Sequence, residues 1–218
     1  EYIRGEESRN VLKMFGEVPL LRNFHVARRG TMSNRSVQDS SSAILSAATW
    51  NVSGGKRSAA APETWSQPDQ RNQVLNEVLR WDCDVVALQE VESREAIEEL
   101  SLRYCHVGSS RSHLGFVHLY VREKTTFVVI GCGAPGVVVC RLSLNVEGGE
   151  EKQSILLAAV HLPSGDEVKV KKRRASYLAE IVSKSVDTGV LILGDMNFKD
   201  EEASDVCQRN DLREAAYN

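Results

Sequence analysis

Four short, continuous apolar runs that each end abruptly in polar residues constrain this chain more than any other feature of its sequence. They span residues 44–50, 84–88, 154–160 and 189–193. Each has the length of a strand and is rich in Val, Ile, Leu or Ala, the composition of strands buried on both faces. Helical periodicity separates them. Val74, Leu75, Val78 and Leu79 form one helical face, and Ser66 and Asp69 have capping-box spacing at its start. The spacing predicts a second helix from near Ser93, with Ile97, Leu100 and Tyr104 aligned, and a third marked by Ala175, Leu178, Ile181 and Val182. Residues 115–162 read as an antiparallel meander with turns near 123–124, 131–136 and 148–149. The fold class is therefore mixed α/β, with sheets inside and helices outside.

Bulk properties exclude several function classes. The chain is 42% hydrophobic and 26% charged, which fits an ordinary folded protein and neither a disordered nor a fibrous one. A net charge of −3 excludes a uniformly basic nucleic-acid binder but allows a local basic site. Five cysteines form an odd set without a CxxC pair, the pattern of reduced, buried thiols in an intracellular protein. No apolar run reaches the roughly 18 residues of a membrane span, so no membrane partner is expected. Residues 1–43 stand apart as an N-terminal extension. Arg28, Arg29 and Arg35 lead there into a polar, flexible run, and the apolar cluster Val18, Leu20, Leu21 and Phe24 either packs onto the domain or belongs to a preceding module. The domain itself is expected over 44–218, and with no Met at position 1 and no stop signal near Asn218 the chain is expected to be a fragment.

The polar endings are Asn51, Glu90, His161 and the Asp195-Met196-Asn197 segment. Singly, each has an ordinary reading. Asn after a strand is a turn residue, Glu90 could open a solvated helix, Gly-Asp is a common turn, and a lone histidine is usually structural. In series, each at the end of a β-rich run, they point to one shared site, because a sheet holds such ends rigidly while the following loops leave room for a ligand. Glu90 offers the hard carboxylate oxygens that Mg²⁺ prefers, alongside waters and substrate phosphate. Asn51 can help hold a metal or donate to a phosphate oxygen. Asp195 suits a general base acting on water. Asn197, two residues further along an extended segment, points the same way and can donate to phosphoryl oxygens, as can His161. The dense basic run Lys169, Lys171, Lys172, Arg173 and Arg174 is either a solvated helix face or a contact to a phosphate backbone, with Arg173 and Arg174 as the phosphate-binding candidates. Trp50 and Trp65 could stack on a base, although Trp50 lies in a buried run and reads as core. His106, His113 and His118 have no mutual ligand spacing and read as structural.

The strings TWN, LQE, VHL and GDMNF resemble the signature series of the endonuclease/exonuclease/phosphatase superfamily, over about residues 44–218. Its members include apurinic endonucleases, DNase I-like nucleases, deadenylases, inositol phosphatases and sphingomyelinases. The resemblance implies a four-layer α/β sandwich with two central mixed β-sheets. It also implies one or two Mg²⁺ or Mn²⁺ ions and in-line hydrolysis of a phosphoester, with Asn51, Glu90, His161, Asp195 and Asn197 lining the site. LQEV and GDMNFKDEE are most similar to the tyrosyl-DNA phosphodiesterase 2 branch, which implies a DNA-end substrate, a role in DNA repair and a nuclear rather than cytoplasmic setting. A monomer is expected. Departures from that branch are Ser53 where an acidic residue is usual and Lys199 where an Arg stands, which keeps a phosphate-binding charge but loses bidentate geometry. The family closes its site with a strand ending in Ser-Asp-His, yet no histidine follows His161. The last strand is thus expected to be missing, and the chain alone to be inactive. Other superfamily phosphoesterases, and a non-catalytic domain retaining the scaffold, are the alternatives.

Overall fold

The computed structural model describes residues 9–12, 26–28, 45–52, 68–145, 152–185, 188–198, 202 and 213–214. In chain order the strands are β1 (Arg9–Leu12), β2 (Val26–Arg28), β3 (Ala47–Asn51), β4 (Val85–Val91), β5 (Tyr104–Ser112), β6 (Gly115–Arg122), β7 (Thr126–Ile130), β8 (Val137–Asn145), β9 (Lys152–His161), β10 (Gly189–Asp195) and β11 (Arg213–Glu214). Among the described residues, the helices α1 (Pro68–Trp81) and α2 (Val168–Ser183) join parallel strands. All four apolar runs are strands. β3 and β4 pair in parallel through the α1 crossover, with Asn51 opposite Gln89, and β9 and β10 do so through α2, with His161 opposite Asp195.

Around these two units lie a five-stranded sheet in the order β1-β3-β4-β6-β5 and a six-stranded sheet in the order β11-β2-β10-β9-β8-β7. The alternation along β4 shows how they stack. Val85 and Ala87 join a cluster with Val138, Leu157 and Leu193 of the other sheet, whereas Val86 and Leu88 turn outward onto Leu75 and Val78 of α1. On the far side, Leu178 and Ile181 of α2 cover Leu156, Ala158, Val190 and Ile192. The layers run α1, sheet, sheet, α2, the sandwich that the resemblance implies. Each Val, Leu or Ile side chain buried this way stabilises the fold by roughly 1.5–3 kcal/mol.

Three expectations change. No helix starts near Ser93; only a 3-10 turn forms at Glu98–Leu100. The Ser93 carbonyl is taken by His118 Nε2 at 2.7 Å and the Ile97 amide donates to the Tyr120 hydroxyl at 2.9 Å, so side chains of β6 occupy groups a helix would need. Ile97, Leu100 and Tyr104 are nonetheless buried together, which is what their spacing detected. The meander is shorter than predicted, because β6 pairs with β4 and β5 and the chain changes sheets before β7; only β7, β8 and β9 form it. Two segments of the N-terminal extension belong to the sheets: β1 pairs with β3, and β2 with β10. The apolar cluster at 18–24, the capping residue Ser66, Ser53, Trp65, Lys199 and the turn at 148–149 lie outside the described residues. Among the described residues, no helix is long and apolar enough to cross a membrane.

Candidate active site

Parallel pairing places the ends of β3 and β4 side by side, and likewise those of β9 and β10, so each sheet delivers two polar strand ends. The sheets bring these pairs together. The Asn51 side-chain amide donates to Glu90 Oε1 at 3.0 Å within its own sheet and to Asp195 Oδ2 at 3.1 Å across the gap. His161 Nε2 lies 3.7 Å from Glu90 Oε1. Residues 144 positions apart thus share one hydrogen-bonded centre.

Backbone irregularities aim these groups. Glu90 has φ 59° and sits at a bulge where the β4–β6 register shifts between Leu88 and Val91. A left-handed glutamate is a strained residue, a cost of about 1–3 kcal/mol that persists only where its surroundings enforce it. Gly115 opposite makes room, since a Cβ there would stand 2.8 Å from the Val91 carbonyl oxygen. Gly194, with φ 133°, allows a still closer approach of β10 to β9 just before Asp195: a Cβ there would stand 2.0 Å from the Val160 carbonyl oxygen. Beneath Asn51 and Glu90, the buried pair Thr49 and Gln89 ties β3 to β4 through contacts of 2.9 and 3.1 Å.

His161, 2% exposed, is gripped from the other sheet. Ser112 Oγ lies 3.1 Å from both the Gly115 carbonyl oxygen and His161 Nδ1, so its one proton serves one of them and the histidine tautomer follows from that choice. His113, next in the β5–β6 hairpin, sets its ring 5.0 Å from that of His161. Sequence reasoning assigned Ser112 no role and read His113 as structural. The only sequence signal is a polar pair at a hairpin tip, and the partner is 49 positions away.

Asn197 departs from the expected role. Residues 196–198 are not extended as strand, and Asn197 has φ 50°. Its backbone amide donates to Asp195 Oδ1 at 2.9 Å and its side-chain amide to the Leu162 carbonyl at 2.8 Å, so it fixes the Asp195 carboxylate and holds the ends of β9 and β10 together. Arg174 corrects the phosphate expectation more sharply. It is fully buried, its Nε and Nη2 engage the Glu202 carboxylate, and Nη1 donates to the carbonyls of Pro163 and Gly165 at 2.8 and 2.9 Å. A guanidinium with these partners braces the loops behind the site. Arg173, Lys169 and Lys172 are exposed on the same helix and remain available to a ligand. Trp50 is core, packed 5.4 Å from Trp81.

Behind Glu90 a buried polar network secures the β4 exit. His118 Nδ1 lies 3.1 Å from His106 Nε2 and 3.3 Å from the Tyr120 hydroxyl. Burial pushes the His118 imidazole down to about 4; its bond to Ser93 works against this, while His106 adds to the fall. Burial likewise lowers His106 and raises Tyr120.

The donor set fits a hard divalent cation. Two carboxylates and an amide meet at one point, concentrating negative charge that such an ion neutralises. Among the described residues there is no group of three or more His, Cys, Asp and Glu able to cage a metal.

Residues 48–204 match the sequence profile of the Endonuclease/Exonuclease/phosphatase family. Comparison with curated protein sequences gave no match. Among solved structures, a D. rerio TDP2 humanised by 14 mutations superposes with TM-score 0.53 at 20% identity, over 76% of this chain and 71% of that one. D. rerio TDP2 complexed with single-strand DNA product gives 0.53 at 20%, over 74% and 64%. The human Nocturnin catalytic domain with bound sulfate gives 0.53 at 14%, over 93% and 73%. At such identities the likeness is one of fold.

Proposed function

The chain belongs to the endonuclease/exonuclease/phosphatase family, and on that premise we propose that it hydrolyses a phosphodiester at a DNA end by in-line attack of water, aided by Mg²⁺ or Mn²⁺. The observation that carries this reading is the Asn51 amide bridging Glu90 and Asp195 across the two sheets. Glu90 would hold the metal, with Asn51 beside it. The ion, when bound, supplies a Lewis acid for the phosphoryl oxygens. Asp195, oriented by Asn51 and by the Asn197 amide, takes the proton of the attacking water. His161, held by Ser112, presents Nε2 towards the same space and donates to the phosphoryl oxygens as charge develops. Lys199 and Arg173 attract the strand carrying the phosphate.

Support for a nucleic-acid substrate comes from the fold shared with a TDP2 that binds single-strand DNA product. A monomer working in the nucleus on 5′ ends is the form this reading takes. Its rival is a family phosphoesterase acting on another substrate, such as an RNA tail or a phosphoinositide. The test is turnover by the full-length protein with Mg²⁺ on a 5′-phosphotyrosyl oligonucleotide, beside an abasic duplex, poly(A) and a phosphoinositide. The expected outcome is preference for the tyrosyl oligonucleotide, with Asp195→Asn slower by about 10²–10⁴-fold. Turnover of only one of the other substrates moves the assignment to that class; turnover of none, or unchanged rates for Asp195→Asn, sinks it.

A further inference from the structure

His113 is a ring whose position is fixed although it is exposed. It occupies the tip of the β5–β6 hairpin, one residue beyond Ser112. Its Nε2 lies 3.2 Å from the Ser164 hydroxyl, in the loop that follows β9, and its ring is tilted 42° against His161 at a centroid distance of 5.0 Å. The hairpin belongs to one sheet, His161 to the other, and Ser164 to the loop that follows it. An exposed aromatic ring ordinarily samples several rotamers and loses that freedom when a ligand lands on it. Here the edge is tied and one side is packed before any ligand arrives, so the ordering cost is largely met in the free protein.

The location gives this ring a use. In the phosphodiesterase reading His161 donates to the reacting phosphate, and His113, exposed where His161 is buried, is the next ring outward. A substrate group extending from that phosphate toward solvent on this side meets it. With a nucleic-acid strand as substrate, that group is a nucleotide, and a nucleobase presents a flat π-face to any ring set beside its phosphate.

We propose that His113 is a substrate-contacting specificity residue, the platform on which the nucleobase next to the scissile phosphate stacks. The inference rests on the phosphodiesterase reading above. It assigns the hairpin tip to substrate selection: a strand with a base at its end is bound there, and a phosphoester without one loses the contact. Stacking tolerates any base, so the platform favours nucleotides over other phosphoesters and does not read sequence.

The experiment measures KM and kcat, and separately Kd by fluorescence anisotropy, for a single-stranded oligonucleotide and for the same strand abasic at the terminal position. It uses full-length wild type, His113→Ala, His113→Phe and His113→Gln. The expected result is a rise of about tenfold in KM and Kd for His113→Ala on the base-bearing strand, from the usual worth of one stacked base. The kcat should stay within about twofold, His113→Phe should remain near wild type, and the four proteins should not differ on the abasic strand. Equal binding by His113→Ala and wild type overturns the proposal. So does an equal loss on the abasic strand, rescue by Gln but not Phe, a fall in kcat at unchanged KM, or a wild type that binds neither strand. A wild type that binds but hydrolyses no phosphodiester refutes the catalytic reading, while the binding comparison still decides the role of His113.

Discussion

Asn51 is the smallest unit on which the site depends, because one amide nitrogen satisfies carboxylates from two sheets. Asn51→Ala leaves Glu90 and Asp195 without their common donor while removing little buried volume. The predicted outcome is a loss of about 10²-fold in kcat, from misplacement of the reacting groups, with a nearly unchanged denaturation midpoint. A large shift in midpoint would instead make Asn51 a structural residue. Arg174 makes the opposite case. Removing its guanidinium strands the Glu202 carboxylate, 8% exposed, and leaves two loop carbonyls without their donor. Arg174→Ala should cost about 3–5 kcal/mol in urea unfolding, whereas Arg173→Ala should change stability by less than about 0.5 kcal/mol and weaken oligonucleotide binding in a salt-dependent way. In sequence these two arginines are indistinguishable, adjacent members of one basic run. Which of them turns inward depends on Glu202, 28 positions away, and no local pattern carries that.

Elements were legible where burial writes itself into local composition. The runs behind β3, β4, β9 and β10 are apolar on both faces because each sheet has a helix on one side and the other sheet on the other, so their positions and their polar ends could be read directly. The stretch after Ser93 could not, since its apolar spacing fits a helix and only the partners His118 and Tyr120 decide otherwise. β1 and β2, of four and three residues, are too short for any periodicity to show. The His118 network makes a prediction at this scale. In the unfolded chain the imidazole titrates near its ordinary 6.5, and in the fold only near about 4, so between these values the unfolded state binds more protons. Stability is therefore complete above pH 6.5 and falls as pH drops toward 4, by on the order of 3 kcal/mol; His106, also lowered, acts in the same direction. Urea midpoints measured from pH 7.5 down to 4 should show this slope, and His118→Gln should flatten it. At the end of β10, Gly194→Ala should cost more than an ordinary strand substitution and displace Asp195, seen as lost activity even in molecules that still fold.

At the scale of the whole molecule, two βαβ units in two facing sheets explain why the site exists where it does. Each unit delivers a pair of strand ends, and stacking the sheets turns two pairs into one centre with Asn51 as the link. The family follows from residues 48–204, and the sandwich from the packing of α1 and α2 on opposite outer faces. The most direct test of the account is the Mg²⁺ dependence of phosphodiester hydrolysis by full-length wild type and Glu90→Gln. The account predicts a rate that saturates with Mg²⁺ and disappears in EDTA, and a half-saturating Mg²⁺ concentration raised by at least about tenfold in Glu90→Gln. A rate indifferent to Mg²⁺, or a Glu90→Gln protein with the wild-type Mg²⁺ response, would contradict it.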